Sequence, residues 1–394
     1  MNCNCNIAYL SQGKLHLKIG EEPPRVVESQ YGQTIRDRAV KAQQRHAWKS
    51  GGEGDKFLSS EMLWGKAARD GAAIRIAITS ICRGPGAGQV YYSLETDAMC
   101  GLLAVDNLGA EERRVWSNNT QRLRHLNVNR DRGDLACSVE HKFGTANIGV
   151  MLADGTGLME ATEGDSYDTA PRWVPGERRR IVYQSAGVGR NRDGHYAGLS
   201  PYSVQVLDLD SGEVECLVEE PRHDLLTPQM TKDGTLYYIR RPYVTGREVR
   251  PLTMVKDVLL FPFRMVNAIF HYLDFFSMTY SGKKLTTSGG ARGREMDMKQ
   301  MMIWGNLVQA QNAAPAGEEP VDLVPKSWEL MRKRSGAPAQ VVAKGVLSFD
   351  IAEDESVIYS NGNAIFRVDA SGARERILLG HLIEQVVALD AAGK

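Results

Sequence analysis

A strand-and-turn pattern that recurs along the chain constrains the fold more than any other feature of the sequence. In its clearest copy, short apolar runs cover residues 181–185, 204–209 and 214–218, and the turn Asp210-Ser211-Gly212 separates the last two. Runs of this length, bounded by residues that tolerate a positive φ, are typical of β-strands. A pattern repeated in this way predicts one repeat architecture built from strands.

Five further copies extend the pattern over most of the chain. Their opening apolar runs begin at Ile7, Val90, Leu135, Leu236 and Val357. Most copies also have a preceding strand, clearest around Pro171 and Pro228, so that each unit contains four strands. Because one four-stranded sheet cannot cover both of its faces, such units pack side by side around an axis. The sequence therefore predicts an all-β fold, a six-bladed β-propeller with helical insertions, as a single domain over residues 1–394.

The two ends of the chain are predicted to complete the same unit. The first copy lacks its opening strand, because the chain reaches Ile7 almost at once. Near the other end, residues 383–389 form an apolar run that suits an innermost strand. Pairing this run with the strand at Ile7 would close the ring by backbone hydrogen bonds between the N- and C-terminal strands.

One copy resembles a known repeat. The segment Pro171-Arg172-Trp173-Val174-Pro175-Gly176-Glu177, followed by residues 181–185, is similar to the repeat of TolB-like and prolyl-oligopeptidase-type propellers. In that repeat, Ser is usual at the position of Val174, and Asp-Gly is usual at Gly176-Glu177. The resemblance implies the six-bladed fold, and a fold of this kind does not define a function.

Composition limits the classes of partner and compartment. The chain has 48 basic and 48 acidic residues, so its net charge of zero gives no reason to expect a nucleic-acid partner. Its six cysteines are scattered, and they are expected to be buried free thiols. No secretory signal is visible in residues 1–9, which predicts a cytoplasmic protein.

Residues 31–73 form the first of two insertions into the repeat. Its core, 34–49, has no Gly or Pro and is rich in Ala, Gln, Arg and Lys, which predicts a helix. A second short helix is expected from Ser59 to Ala68. The first helix is basic and has two interpretations: a solvated helix on the rim of the propeller, or a docking surface for an acidic or phosphate-bearing partner.

The second insertion, residues 250–326, lies within the fifth blade and is predicted to contain an amphipathic helix over 255–276. Polar residues at 257, 264, 267, 271 and 274 fall on one stripe of such a helix, and most of the others are large and apolar. The apolar side chains expected to bind a partner are Leu260, Phe261, Phe263, Val266, Phe270, Leu273, Phe275 and Phe276. Three alternatives stay open for this face: a protein partner or self-association, packing on the propeller itself, and a membrane surface.

The sequence contains no convincing catalytic motif, and it indicates no cofactor and no metal site. Polar residues in the loops that lead into the first strands could still meet at the central channel and bind a ligand. The candidates for that site are Asp168, His223, Asp224 and His381. The preferred interpretation is a non-catalytic scaffold for protein–protein interaction. The alternatives are a hydrolase or lactonase with a metal or small-ligand site at the channel, and a peripheral membrane scaffold.

Overall fold

The computed structural model of the chain describes residues 5–49, 76–96, 98–106, 109, 111–141, 144–243 and 323–390. The chain divides into two compact units. The first comprises Met1–Val27, Ala77–Glu248 and Met302–Lys394, and it contains the β-sheets. The second comprises Glu28–Ile76 and Val249–Met301, which include much of both predicted insertions.

One helix, α1 (Gln30–Lys49), lies in the described part of the second unit. Ser29 caps its first turn, because the hydroxyl of Ser29 accepts a hydrogen bond of 3.0 Å from the backbone of Gly32. The helix begins four residues before the predicted segment 34–49 and ends at the same residue. The predicted helix at 59–68 and the predicted helix at 255–276 lie outside the described residues. No helix in the described part of the chain has both the length and the apolar character that a membrane crossing requires.

Four of the five sheets contain four strands each, and they are named here after their first strand in spatial order. The β25 sheet consists of β25 (Ile383–Leu389), β1 (Asn6–Ser11), β2 (Lys14–Lys18) and β3 (Arg25–Val27). The β4 sheet consists of β4 (Ile76–Arg83), β5 (Val90–Thr96), β6 (Cys100–Asp106) and β7 (Glu111–Asn118). The β17 sheet consists of β17 (His223–Met230), β18 (Leu236–Pro242), β19 (Glu329–Lys333) and β20 (Gln340–Lys344). The β21 sheet consists of β21 (Ser348–Ile351), β22 (Val357–Ser360), β23 (Ala364–Val368) and β24 (Arg374–Leu379).

The fifth sheet has nine strands and consists of two halves. The β8 half contains β8 (Arg122–Val128), β9 (Asp134–Glu140), β10 (Ala146–Leu152) and the short β11 (Met159–Glu160). The β12 half contains β12 (Ser166–Trp173), β13 (Arg180–Arg190), β14 (Tyr196–Leu199), β15 (Ser203–Asp208) and β16 (Val214–Val218). A single parallel pair, Ala146 with Tyr167, joins the halves. Each half therefore repeats the four-strand plan of the other sheets, with β14 as an addition.

The last strand of the described chain pairs with the first. Strand β25 lies antiparallel to β1, with Asn6 opposite Leu389 and Tyr9 opposite Val386. Its bounds are those predicted for the run 383–389, and its partner is the strand expected from the sequence. A segment at one end of the chain thus supplies the first strand of the sheet to which β1, β2 and β3 belong.

Apolar side chains between neighbouring sheets form the core. Separate clusters join the β4 sheet to the β8 half, the β8 half to the β12 half, and the β12 half to the β17 sheet. Two more join the β17 sheet to the β21 sheet and the β21 sheet to the β25 sheet. The tyrosines of the repeated second strand are central to this packing, since Tyr91, Tyr183, Tyr238 and Tyr359 are all buried. Apolar side chains therefore cover the facing surfaces of five successive pairs of sheets or half-sheets.

The burial of each cysteine depends on where its strand lies in the sheet. All five in the described residues are free thiols. Cys82, Cys100 and Cys137 are buried, as the sequence predicts, and Cys5 is half-buried. Cys216 is exposed, so the expectation of a buried thiol is wrong there. The reason is its place on β16, the outermost strand of the β12 half, where no further sheet strand covers it.

Candidate functional site

The first strand of each sheet or half-sheet, called here a lead strand, carries the polar contacts that join the sheets. The lead strands are β4, β8, β12, β17, β21 and β25. Three of them contain a bulge at a residue other than glycine with positive φ: His125 in β8, Ala170 in β12 and Thr227 in β17. A bulge bends a strand and turns its backbone groups away from the regular ladder. Those backbone groups become available to neighbouring sheets.

Side-chain oxygens of one sheet accept hydrogen bonds from these backbone N–H groups of the next sheet. Ser80 Oγ on β4 accepts from Leu126 N on β8 at 2.9 Å. Ser138 Oγ on β9 accepts from Ala170 N at 3.2 Å, and Gln184 Oε1 on β13 accepts from Thr227 N at 2.6 Å. In each case the bond joins one sheet or half-sheet to the lead strand of the next along the chain.

Further hydrogen bonds involve the last two lead strands. Gln229 Nε2 on β17 donates to the carbonyl of Phe349 on β21 at 3.1 Å, and Ser348 Oγ on β21 accepts from Val386 N on β25 at 3.1 Å. Gln385 on β25 bonds both backbone groups of Ile81 on β4, at 3.1 and 2.7 Å. A side-chain amide that replaces two strand-to-strand hydrogen bonds leaves neither backbone group of Ile81 unsatisfied.

A buried ion pair lies between two lead strands that are not neighbours in the chain order. Arg172 Nη1 on β12 is 3.9 Å from Asp350 Oδ1 on β21, and Asp350 is only 3% exposed. The other oxygen of Asp350 accepts a hydrogen bond of 2.9 Å from Ala388 N on β25. The buried thiol of Cys82 on β4 lies within the influence of both charges, and burial raises its pKa to about 12. Cys82 is therefore protonated at neutral pH and is not a nucleophile.

A second charged cluster forms where four lead strands end. Arg130 Nη1 lies 2.5 Å from Glu353 Oε1 and 3.0 Å from Asp390 Oδ1, and Arg83 Nη1 lies 3.5 Å from Asp390. These residues follow or end β8, β21, β25 and β4. The hydrogen bond from Arg130 holds the pKa of Glu353 below its ordinary value, whereas burial raises the pKa of Asp390. The cluster thus pairs two cations with two carboxyl groups of unequal acidity.

At the opposite ends of the lead strands, charged side chains join the β4 sheet to the two halves of the nine-stranded sheet. Arg124 Nη2 on β8 bonds Glu95 Oε2 on β5 at 2.9 Å, and its Nε lies 3.3 Å from Glu140 Oε2 on β9. Tyr167 on β12 donates to Glu140 at 3.2 Å. These contacts fix the edges of three strand groups relative to one another.

The residues predicted to bind a ligand at the channel each have a different set of partners. Asp168 accepts a hydrogen bond of 2.6 Å from the Ser185 hydroxyl, and Asp224 accepts one of 2.8 Å from Arg241 Nε. His223 Nδ1 is 3.0 Å from Glu220. His381 is exposed, and its backbone carbonyl accepts from Ser11 Oγ at 2.6 Å. Among the described residues, no group of three or more His, Cys, Asp or Glu side chains is arranged to hold a metal ion.

The expected loop position is wrong for three of these four residues. Asp168 lies inside β12, and His223 and Asp224 lie inside β17. Both aspartates are 4% exposed and serve as acceptors within the sheets, where polar loop residues would have faced water. The reason is strand pairing before each bulge, since Asp168 lies opposite Ser185 on β13 and Asp224 lies opposite Arg241 on β18. A role of these four residues in ligand binding stays a prediction.

The predicted partner-binding side chains, Leu260, Phe261, Phe263, Val266, Phe270, Leu273, Phe275 and Phe276, lie outside the described residues. The sequence pattern does not predict a functional role for Arg172, Asp350, Arg130 or Asp390. Asp350 did leave a signal, since it is a charged residue between the apolar Phe349 and Ile351 in a segment that becomes a buried strand. Such a residue needs a buried partner, but the sequence does not say which.

Comparisons with known proteins agree on the fold. The sequence matches no protein-family model and no curated protein. The structure is similar to that of TolB from Acinetobacter baumannii, with a TM-score of 0.51, 11% identity, and coverage of 98% of this chain and 66% of that one. It is also similar to a chain in the nidogen/laminin complex, with a TM-score of 0.50, 6% identity, and coverage of 98% and 99%. This chain spans slightly less than two thirds of the TolB chain. The likenesses show a TolB-like propeller fold.

Proposed function

We propose that the six groups of four strands are the blades of one closed propeller, with the lead strands around its axis. The propeller fold of the similar structures supports this arrangement. So do the apolar clusters, which join five successive pairs of groups from the β4 sheet to the β25 sheet. The two hydrogen bonds between Gln385 and Ile81 link the remaining pair, β25 and β4.

Within that ring, the protein acts as a non-catalytic scaffold for protein–protein interaction. The observation that supports this proposal is that the charged groups at the lead strands pair with one another. Arg172 faces Asp350, and Arg130 binds both Glu353 and Asp390. A catalytic group has to be directed at a substrate, whereas these groups are directed at one another and at backbone amides. They stabilise the position of the blades.

Partner binding is assigned to the insertion at 250–326, through the apolar side chains of 255–276. The chain leaves the β17 sheet at Tyr243, directly after β18, and the structure describes it again from Leu323. The strands on either side pair with each other, Arg240 opposite Glu329, so the sheet is continuous across the insertion. An insertion that the sheet does not need is free to serve another purpose, and large apolar side chains favour contact with a protein.

The test compares two variants of the tagged full-length protein. Phe263→Ser/Phe270→Ser removes two apolar side chains from the insertion. Met159→Ser/Leu379→Ser removes two from the sheets, where Met159 is 63% and Leu379 is 57% exposed, and is the matched control. Proteins that co-purify at native expression are quantified by mass spectrometry, and self-association is measured by analytical ultracentrifugation.

The proposal requires the Phe263→Ser/Phe270→Ser variant to lose its partner or its self-association, while the control keeps them. Both variants should unfold at the same temperature as the unmodified protein, because the first changes no described strand and the second changes exposed positions. Equal binding by both variants would show that the insertion does not bind the partner. Hydrolytic activity of the purified protein, abolished by a substitution at Asp168 or His223, would show that the scaffold proposal is wrong.

A further inference from the structure

Helix α1 carries positive charge that the described residues do not neutralise. Its sequence contains five Arg or Lys residues and one acidic residue, Asp37. Arg36, Arg38 and Lys41 are exposed. None of these three forms an ion pair with another residue that the structure describes. The rest of the chain balances this excess, since the whole sequence has zero net charge.

The described side chains of the helix also form no apolar face that could account for its stability. Among its described side chains, Ile35 is half-buried and Val40 is 45% exposed. A helix in water gains most of its stability by burying an apolar stripe, and one that is polar on all sides usually serves a contact of another kind. The unpaired charge indicates which contact, because opposite charge on a partner would lower the repulsion among the helix's own cations.

Three classes of anionic partner could supply that charge, and the observations favour one. A membrane surface holds an interfacial helix through a wide apolar face, which the described part of α1 does not have. Nucleic-acid binding is associated with a domain that is basic overall, and this chain is neutral. An acidic segment of a protein needs neither an apolar face nor a basic domain.

We infer that α1 is a docking surface for an acidic segment of a partner protein, recognised by Arg36, Arg38 and Lys41. The inference rests on the proposed scaffold function and adds a second contact to it. The insertion at 250–326 would supply the apolar contact, and α1 would supply charge complementarity and a faster encounter with the correct partner. The contact is expected to weaken as salt is added, since exposed charges are screened.

The experiment uses the full-length protein and a fluorescein-labelled peptide of poly-L-glutamate, of about 20 residues so that its extended length exceeds that of the helix. Binding is followed by fluorescence anisotropy at low and at physiological salt. The variant is Arg36→Gln/Arg38→Gln/Lys41→Gln, in which glutamine preserves helix propensity. The control is Arg178→Gln/Arg192→Gln/Lys232→Gln, which removes two exposed arginines and one exposed lysine from the sheet unit. Circular dichroism checks that both variants keep their structure.

The α1 variant should bind the peptide about tenfold more weakly at low salt than the unmodified protein, with the control unchanged. Equal affinities of the two variants would contradict the inference, and the co-purification test of the insertion would still decide the scaffold function separately. Two parallel arms use a 20-base-pair DNA duplex and vesicles that contain anionic lipid. Tighter binding to either of these than to poly-L-glutamate, lost in the α1 variant, would replace the acidic protein with the other class of partner and overturn the inference.

Discussion

Ser138 shows how one hydroxyl group can join two bulged strands. It accepts a hydrogen bond from Ala170 N on β12 and lies 3.2 Å from His125 Nδ1 on β8, and both of these residues have positive φ. Serines in the second strand of other repeats also reach a lead strand. Ser185 donates to Asp168, and Ser360 donates to the carbonyl of Ile383. The serine that recurs in the second strand is therefore explained by its hydrogen bonds to lead strands.

Asp350 is a buried carboxylate whose charge is opposed by Arg172. The substitution Asp350→Asn keeps the shape and the bond to Ala388 N, but it leaves Arg172 without its buried counter-charge. We expect a loss of about 2 kcal/mol in the free energy of unfolding, below the usual cost of breaking a buried pair because the two groups are 3.9 Å apart. Urea denaturation measures the change.

The exposed Asp369 is the matched control for this substitution. It accepts backbone hydrogen bonds in the turn after β23 through one oxygen, which asparagine retains. Asp369→Asn should therefore change the free energy of unfolding by less than about 0.5 kcal/mol. Equal effects of the two substitutions would mean that Asp350 contributes no more than a solvated turn residue.

At the scale of single strands, the sequence predicted some elements better than others. The second and third strands follow from apolar runs, because they supply much of the apolar clusters between neighbouring sheets. The C-terminal strand β25 was predicted with its bounds and its partner. The lead strands were harder, since β12 contains Asp168, Thr169 and Arg172, and β21 contains Ser348 and Asp350. A polar residue that bonds to another sheet looks, in sequence, like one that faces water.

For the same reason, the surroundings of the residues predicted to bind a ligand could be predicted only in part. The sequence directed attention to the beginnings of the lead strands, where Asp168 and Asp224 do lie. It could not show that those carboxylates accept hydrogen bonds from Ser185 and Arg241, because both contacts depend on how the strands pair. Nor could it place Arg130 beside Asp390, 260 residues away in the chain. Such contacts are set by the arrangement of sheets and leave no local pattern.

The side chain of Gln385 on β25 makes two hydrogen bonds to the backbone of β4, which allows a sharp test. Gln385→Ala removes two hydrogen bonds and leaves the N–H and C=O groups of Ile81 without these partners. We expect a loss of about 2 kcal/mol in the free energy of unfolding, the cost of unsatisfied polar groups at a half-buried site. The control is Gln340→Ala on the outer strand β20, where the glutamine accepts one exposed bond from Arg332. A loss no larger than that of the control would contradict the proposed link between these blades.

The three strands β18, β19 and β20 carry an ion-pair ladder that should make stability depend on pH. Glu329 lies 2.6 Å from Arg240 Nη2 and 3.4 Å from Lys344 Nζ. The hydrogen bond from Arg240 holds the pKa of Glu329 below its ordinary value. The folded protein therefore binds this proton more weakly than the unfolded chain does. The resulting stability is complete above the unfolded pKa of about 4.3, and it is lost as the pH falls through the lower folded value.

Glu329→Gln should thus lower the free energy of unfolding at pH 7 and reduce its further decrease between pH 5 and pH 3. Urea denaturation at several pH values over this range provides the comparison. The control is Glu177→Gln, an exposed residue in the turn between β12 and β13. An acid-induced decrease that stays as steep in the Glu329→Gln variant as in the unmodified protein would show that this carboxylate does not contribute to it.

At the scale of the whole molecule, the β17 sheet is continuous although a long insertion separates two of its paired strands. Strands β18 and β19 pair along five residues although about ninety residues separate them in the sequence. The returning chain is anchored before it reaches β19, since Leu323 N donates to the carbonyl of Asn361 at 3.0 Å. Leu323, Val324 and Trp328 are 0%, 2% and 3% exposed. The described core of the sheet unit therefore resumes at Leu323, and we expect the sheets to fold without residues 246–320.

Replacing residues 246–320 by a Gly/Ser linker of about eight residues should accordingly leave the sheets folded. We expect the midpoint of thermal unfolding to stay within about 3 °C of that of the full chain, as a change of less than 1 kcal/mol would give. Extending the deletion through Trp328 removes three buried apolar side chains, each worth about 2–5 kcal/mol, and should lower the midpoint by about 20 °C or more, or prevent folding. Differential scanning calorimetry compares the two. If the shorter deletion unfolds as readily as the longer one, the insertion is part of the core, and its apolar residues are needed for folding rather than for a partner.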